Sequence, residues 1–194
     1  MKYLFRNYDR VFTLFLEHCI LSFFSLLIAF IISVLLSFLC LRNKKIKIVI
    51  LKILEFIYTI PGLALLSLLV PFFDLGFKSA LIAMVLYSQM SLVESILTGL
   101  EEINDDIIDA AYGMGMSKLQ VILKIKIPLA FPVIMGGIRI ASVTIISLAS
   151  LAAFVNGGGL GEIVLEGIRM DNSSKIIAGT IGLCILIIIT DLSL

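Results

Sequence analysis

Five long apolar stretches limit the folds that this chain can adopt. Each is close to the roughly 20 residues that an α-helix needs to cross the hydrocarbon core of a bilayer. Hydrophobic residues make up 60% of the 194 residues and the mean hydropathy is +1.16, whereas soluble domains are roughly 45–50% apolar. The sequence therefore predicts an all-α integral membrane protein, a helical bundle of about five transmembrane helices. We place the spans at about residues 19–41, 48–70, 77–97, 131–154 and 174–189.

The charges between these stretches predict how the chain is oriented. Residues 1–18 mix charged and aromatic side chains, which is typical of an interfacial segment. We interpret His18, the only histidine, as an interfacial residue without special chemistry. Residues 42–47 form the densest basic cluster, and the positive-inside rule assigns it to the cytoplasm. Counting spans puts residues 101–128 on that side as well, with the N-terminus outside and residues 19–194 as one transmembrane domain.

Residues 101–128 are the longest polar interruption, and we predict that they are ordered. Each charged side chain there would cost roughly 2.5–3.5 kcal/mol at the centre of a bilayer helix, so the segment stays outside the hydrocarbon. Its apolar residues nevertheless recur at the spacing of one helical face. They are Ile103, Ile107, Ala111 and Met114.

Glycine and capping signals divide this loop into two short helices. Gly113 and Gly115 are predicted to break the first helix, because glycine tolerates the backbone angles of a sharp turn. Ser117, followed three residues later by Gln120, predicts a capping box that opens the second. Pro128 marks where the backbone next changes course. Such a helix–turn–helix suits docking into a groove on a partner, although a solvated loop has the same composition.

The same residues resemble a known motif. Asp109-Ala110-Ala111, three residues, Gly115, nine residues and then Ile125-Lys126-Ile127-Pro128 resemble the EAA loop of ATP-binding-cassette (ABC) importer permeases. Asp109 in place of Glu and Ile127 in place of Leu keep the charge and the apolar character. In that family the loop is the coupling element that sits in a cleft of the cytoplasmic ATPase. The resemblance implies the type I ABC importer permease fold and a set of coupling residues: Asp109, Ala110, Ala111, Gly113, Met114, Gly115, Ser117, Gln120 and Pro128.

Two further segments resemble permeases of the osmoprotectant type. Residues 59–66, TIPGLALL, are similar to a segment of the second span in which Pro61 is expected to kink the helix. The kink either has a role in the transport pathway or in helix packing, or faces lipid. Residues 152–161 resemble a glycine turn on the outer side of the family, near the gate and the docking site of the binding protein. Candidate gate residues there are Asn156, Gly158 and Gly159, and a plain turn between spans is the alternative.

The third predicted span departs from the osmoprotectant pattern. Ser91 replaces a proline, and Glu94 stands where a basic residue is usual. A carboxylate within a span is often functional, which makes Glu94 a candidate pathway residue, but it is also close enough to the cytoplasmic end to reach water. We interpret Arg139, near the start of the fourth span, as reaching the interface in the same way. The chain ends at Leu194, where relatives usually continue, so a degenerate copy is an open alternative.

The resemblance implies the permease subunit of an ABC importer in the cell membrane, which carries a small solute of the quaternary amine class such as glycine betaine, choline or carnitine. The expected partners are a cytoplasmic ABC ATPase, a second permease copy or paralogue, an extracytoplasmic substrate-binding protein and membrane lipid, with no nucleic acid. The sequence has no P-loop, so ATP–Mg is expected on the ATPase. We expect no cofactor, metal site or catalytic residue in this chain.

Two other functions remain compatible with the sequence. An ion-coupled secondary transporter would carry charged residues near mid-membrane and internal repeats, and only Glu94 and Arg139 come close. An inactive membrane scaffold subunit would explain the departures in the third span.

Overall fold

Every regular element in the part of the chain that the structure describes, residues 7–194 of the computed structural model, is helical. The all-α prediction is therefore confirmed. These residues form α1 (Tyr8–Arg42), α2 (Lys44–Thr59), α3 (Gly62–Phe73), α4 (Phe77–Glu101), α5 (Asp105–Gly113), α6 (Lys118–Val121), α7 (Ile127–Leu151), α8 (Gly161–Arg169) and α9 (Ser173–Ser193). A widened π-helical turn (Ile122–Lys126) joins α6 to α7, and a 3-10 turn (Ala152–Val155) follows α7.

The described residues contain four helical runs that are long and apolar enough to cross a membrane. They are α1, α4, the continuous run Lys118–Val155 and α9. The predicted second span is a pair of helices, α2 and α3, bent by 102° at a short break. If the bent pair is one broken span, the bundle has the five spans that the sequence predicts.

The break between α2 and α3 is sharper than the predicted kink. Ile60 and Pro61 are both extended, with ψ of 126° and 134°, and the next helix begins at Gly62. A residue before proline is driven out of the helical region, and proline has no N–H to continue the ladder. The two effects together end one helix and start another, where we expected a single bent helix.

α1 extends well beyond the predicted first span. It begins at Tyr8 and continues without interruption to Arg42, so it includes residues 8–18 of the proposed interfacial segment. Residues 1–6 of that segment lie outside the described residues. Asn43 then ends α1 and caps α2, because its side-chain oxygen accepts from Lys45 N at 2.9 Å.

α4 is the centre of the bundle and packs against both α1 and α7. Small side chains, including Ala80, Ala83 and Ala149, are fully buried and let the helices approach closely. Polar groups also connect the helices. Gln89 on α4 is buried, and its Nε2 donates to the backbone oxygen of Ala29 on α1 at 3.1 Å. In a membrane, where water cannot satisfy polar groups, such bonds fix which helix faces meet.

The bundle has two ends that differ in character. We call the end that carries residues 102–117 the loop end, and the end that carries residues 156–172 the turn end. Lys47 on α2 pairs with Glu101 at the loop end. At the turn end, α1 contacts α8 through the ion pair between Arg10 and Glu166.

Candidate functional site

The loop at residues 101–128 is built around a capped first helix. The Asn104 side chain accepts from Asp106 N at 2.9 Å, and the two aspartates of the first turn, Asp105 and Asp106, lie where the helix dipole favours negative charge. Asp109 and Ala110 on this helix are exposed, whereas Ala111 is 1% exposed. The helix therefore presents the first two residues of the Asp-Ala-Ala motif to solvent and uses the third for packing.

The glycine turn of the loop differs from the prediction at one position. Gly113 is the last residue of α5, and only Gly115 has a positive φ, of +82°. Backbone bonds from Gly115 N to Tyr112 O (2.9 Å) and from Met116 N to Ala111 O (3.1 Å) close the turn. The prediction that both glycines break the helix is wrong for Gly113, because one left-handed residue is enough to end a helix.

The second half of the loop contains the predicted capping box. Gln120 N donates to Ser117 Oγ at 3.4 Å, and Ser117 N donates to Gln120 Oε1 at 2.8 Å. The helix that begins there is not a separate short element. It continues through the π-helical turn, in which Ile127 N bonds to Ile122 O, directly into α7.

We expected the backbone to change course at Pro128, but the helix continues through it. It lies in the first turn of α7, within the continuous run Lys118–Val155. Proline removes one bond from the helical ladder and crowds the carbonyl four residues earlier. The widened turn ends only two residues before Pro128, so the helix is locally wider just before the proline.

Several large apolar side chains of the loop are exposed. Met114 is 75% exposed, although the sequence pattern placed it on one helix face with Ala111. The pattern fails there because α5 ends before Met114. The other exposed members are Ile107, Tyr112, Leu119, Ile122, Leu123 and Ile127.

Glu94 lies in a cleft between α2, α4 and α7 that we call the acidic cleft. It has a volume of about 610 Å³. Glu55 and Tyr58 from α2 share its wall with Glu94, together with the hydroxyl-bearing Ser91 and Ser95 of α4. Neither Glu55 nor Glu94 forms an ion pair with any of the described residues.

The sequence reasoning missed Glu55 and Tyr58. The signal for Glu55 was present, because it is a carboxylate inside the predicted second span, as Glu94 is in the third. Tyr58 had no such signal. Its ring lies 5.0 Å from that of Tyr87 between centroids, a contact that only the packing of α2 against α4 creates.

The other candidate pathway residues lie elsewhere. Pro61 separates α2 from α3, close to Thr59 on the cleft wall, but it does not line the cleft. Asn156, Gly158 and Gly159 form the left-handed turn at the turn end, with φ of 57°, 81° and 84°. The predicted set is therefore divided between two regions of the bundle.

The glycine turn packs against the start of α1. Gly159 N donates to Glu17 Oε2 at 3.3 Å. His18, the residue after Glu17, is fully buried, and its Nε2 donates to the backbone oxygen of Ile146 on α7 at 3.1 Å. Our interpretation of His18 as an interfacial residue is wrong, because α1 continues past the turn and carries this side chain into the bundle.

Charged groups surround the same end. Glu166 on α8 accepts from Arg10 Nη1 and from Lys175 Nζ, both at 3.1 Å. The hydrogen bonds from Arg10 are the main reason that the pKa of Glu166 lies below its ordinary value; burial opposes this lowering, and the hydrogen bond from Lys175 adds to it. Burial raises the pKa of Glu162, and the nearby negative charge of Glu17 adds to that effect.

Arg139 has a partner that the sequence did not indicate. Its Nε and Nη2 donate to the two carboxylate oxygens of Asp191 at 2.5 and 2.6 Å, which joins α7 to α9. Arg139 therefore connects α7 to α9, which the interpretation of a side chain that only extends to the membrane–water interface did not include.

This arrangement of helices matches solved structures of known transporters. An inward-facing structure of the MetNI methionine ABC transporter superposes with a TM-score of 0.85 at 21% identity, over 95% of this chain and 92% of that one. One bent span, with a helix–turn–helix loop and a glycine turn at opposite ends of the bundle, thus defines the fold of a type I ABC importer permease.

The sequence comparisons assign the family. The model of the binding-protein-dependent transport system inner membrane component matches residues 25–194, so the chain belongs to this family and is a permease subunit of an ABC importer. The glycine betaine/carnitine/choline transport system permease protein OpuCB of Bacillus subtilis is 32% identical over 90% of this chain and 81% of its own length. The ergothioneine transport permease/ergothioneine binding protein EgtU of Helicobacter pylori is 32% identical over 82% of this chain, which spans only 29% of that protein.

Proposed function

We propose that the loop at residues 101–128 lies in the cytoplasm and docks on a separate ABC ATPase, which supplies the energy for import. This proposal rests on one observation, which is that the loop combines an ordered backbone with exposed apolar side chains. Its backbone is fixed by a helix cap, a left-handed glycine and a capping box, yet it exposes large apolar side chains such as Met114 and Leu119. An ordered, exposed apolar surface is typical of a docking site.

The acidic cleft supports a proposal about the substrate. Glu55 and Glu94 lie within predicted spans, where a carboxylate facing lipid would be costly, so a second permease copy or a paralogue is expected to cover the cleft. Carboxylates without an internal cation favour a cationic solute, and tyrosine rings favour a quaternary ammonium group. OpuCB is named for glycine betaine, carnitine and choline, which all carry that group. We therefore propose a quaternary amine as the substrate.

In this mechanism the chain itself performs no chemical reaction. A binding protein delivers the solute at the turn end, which would face the outside of the cell. ATP binding brings the two ATPase subunits together, and the docked loops move with them. The spans then change from outward-open to inward-open, provided that the ATPase interacts differently with the two states.

The proposal is tested by uptake into proteoliposomes that contain the permease, its ATPase and its binding protein. We expect accumulation of radiolabelled choline or glycine betaine that requires ATP on the ATPase side and survives collapse of the proton and sodium gradients. Uptake that follows an ion gradient instead would contradict the ATP-driven mechanism.

The role of the cleft is tested in the same vesicles. Glu94→Gln is expected to raise KM for the quaternary amine about tenfold, because it removes one negative charge from the cleft. The matched control is Asp74→Asn, which removes an exposed carboxylate between α3 and α4 that lies outside both the cleft and the loop. Equal effects of the two variants would contradict a pathway role for Glu94.

A further inference from the structure

A second cleft opens at the loop end, on another side of the bundle from the acidic cleft. It lies between the last turns of α1, the end of α4 and the π-helical turn before α7, and has a volume of about 520 Å³. That volume falls within the range of sites that hold a ligand of several hundred daltons. We call it the basic cleft.

The walls of the basic cleft are apolar and open to the outside of the bundle. Phe38 of α1 and Ile122 of the π-helical turn are both exposed, and Ile96 of α4 is buried behind them. α1 exposes phenylalanine, leucine and isoleucine side chains along most of its length. A helix with such a surface faces hydrocarbon, so lipid chains have direct access to this cleft.

Two cations stand at the edge of these apolar walls. Arg42 ends α1, with its guanidinium 5.5 Å from the centre of the Phe38 ring. Lys126 ends the π-helical turn on the other side of the cleft. Neither forms an ion pair with any of the described residues, whereas the neighbouring Lys47 is paired with Glu101. The cleft thus offers two charges that no group within residues 7–194 neutralises by direct contact.

A buried hydroxyl completes the site. Ser37 lines the basic cleft, is 1% exposed, and its Oγ has no hydrogen-bond partner among the described residues. Ser33, one turn earlier, donates in the ordinary way to the backbone oxygen of Phe30 at 2.8 Å. A buried polar group without a partner is destabilising, so an external acceptor in the cleft would be favoured.

We propose that the basic cleft binds one anionic phospholipid. The phosphate lies between Arg42 and Lys126, and an acyl chain follows Phe38 and Ile122. An ester carbonyl accepts from Ser37 Oγ once that side chain rotates toward the cleft. Apolar walls with cations at their rim match a lipid rather than a free phosphate, which would leave the walls uncovered. Because the π-helical turn forms one wall, the lipid contacts the segment that joins the loop to α7.

Native mass spectrometry of the purified permease in mild detergent tests this proposal. The probes are phosphatidylglycerol and phosphatidylcholine with identical acyl chains, titrated separately. We expect one phosphatidylglycerol to be retained with about tenfold tighter binding than phosphatidylcholine. The double variant Arg42→Gln/Lys126→Gln is expected to lose this preference.

The matched control is Lys44→Gln/Lys45→Gln, which removes the same charge from the same basic region but outside the cleft wall. It is expected to keep the preference. If the double variant fails to fold, Arg42→Lys is used in its place. It retains both charges and should bind phosphatidylglycerol like the wild type. Equal weakening in the control pair would overturn the proposal in favour of diffuse attraction. Equal retention of both lipids, or displacement by inorganic phosphate alone, would also overturn it.

Discussion

Gly159 leaves space that His18 occupies: a Cβ on Gly159 would lie 2.9 Å from His18 Nδ1. The contact joins the glycine turn to the first membrane helix, since His18 belongs to α1 and also bonds to the backbone of α7. The side chain is fully buried and cannot move aside easily. The turn is held against the bundle by this packing contact together with the bond from Gly159 N to Glu17 Oε2.

We expect Gly159→Ala to lower the apparent melting temperature of the purified permease more than Gly158→Ala. Both positions have positive φ, which costs a residue with a side chain roughly 1–3 kcal/mol. At Gly158, however, the nearest atom to the new Cβ is the end of the Glu17 side chain, at 3.0 Å, which can move. Thermal unfolding in detergent checks the order, and equal losses would contradict the packing described for His18.

The loop offers a similar pair of glycines for testing coupling. A Cβ on Gly113 or on Gly115 would meet no atom within 4 Å, but only Gly115 has a positive φ. Gly115→Ala should therefore strain the turn, reducing ATP-driven uptake and co-purification of the ATPase while membrane insertion stays normal. Gly113→Ala adds the same methyl group to a helical position and should leave both unchanged. A docking role for the ordered turn is contradicted if the two variants couple equally well.

The ion pairs of Glu166 predict a dependence of stability on pH. Its pKa is lowered in the folded protein, chiefly by Arg10, so the ionised form stabilises the fold. This contribution is present above the ordinary pKa of glutamate, about 4.3, and is lost as the pH falls through the lower folded value. The melting temperature should fall on acidification over that range, and Glu166→Gln should remove this part of the fall.

Glu162 provides the contrast, because its pKa is shifted upward. Its negative charge is disfavoured by burial, so protonation at low pH relieves a cost. Glu162→Gln is expected to keep or raise the melting temperature at pH 7. If Glu162→Gln and Glu166→Gln behave alike, the assignment of opposite roles on α8 is wrong.

The pair Arg139–Asp191 predicts effects that do not add. Asp191→Asn leaves the guanidinium of Arg139 without its carboxylate and should loosen α9 from α7. The double variant Arg139→Gln/Asp191→Asn removes both charges and should be less harmful than Asp191→Asn alone. Limited proteolysis of the C-terminal helix measures the loosening, and additive effects would argue against a direct interaction.

The sequence predicted the features that depend on local rules. A helix crosses hydrocarbon only if it is apolar over a sufficient length, which is why the spans were visible in the sequence. The capping box at Ser117 was equally clear, because it depends on two residues three positions apart. Gly113 was misjudged because a pattern of two glycines does not reveal which one takes the left-handed conformation.

Features that depend on packing between distant segments were not predictable from the sequence. The burial of His18 requires α7 and the glycine turn to close over α1. The partnership of Arg139 with Asp191 depends on where α9 crosses α7. Pro61 was expected to kink a helix, and the full break also required an extended Ile60, which the following proline favours but which also occurs beside a bend in a continuous helix.

The π-helical turn keeps Lys118–Val155 a single uninterrupted run of 38 residues. At 1.5 Å per residue this is a rod of about 55 Å, well beyond the roughly 30 Å of the bilayer core. Its first residue follows the cap at Ser117 and its last precedes Asn156. If an ATPase tilts one tip of this rod, the opposite tip must swing by a comparable arc. Communication between the two faces of the membrane then needs no relay of side chains, only the stiffness of one helix.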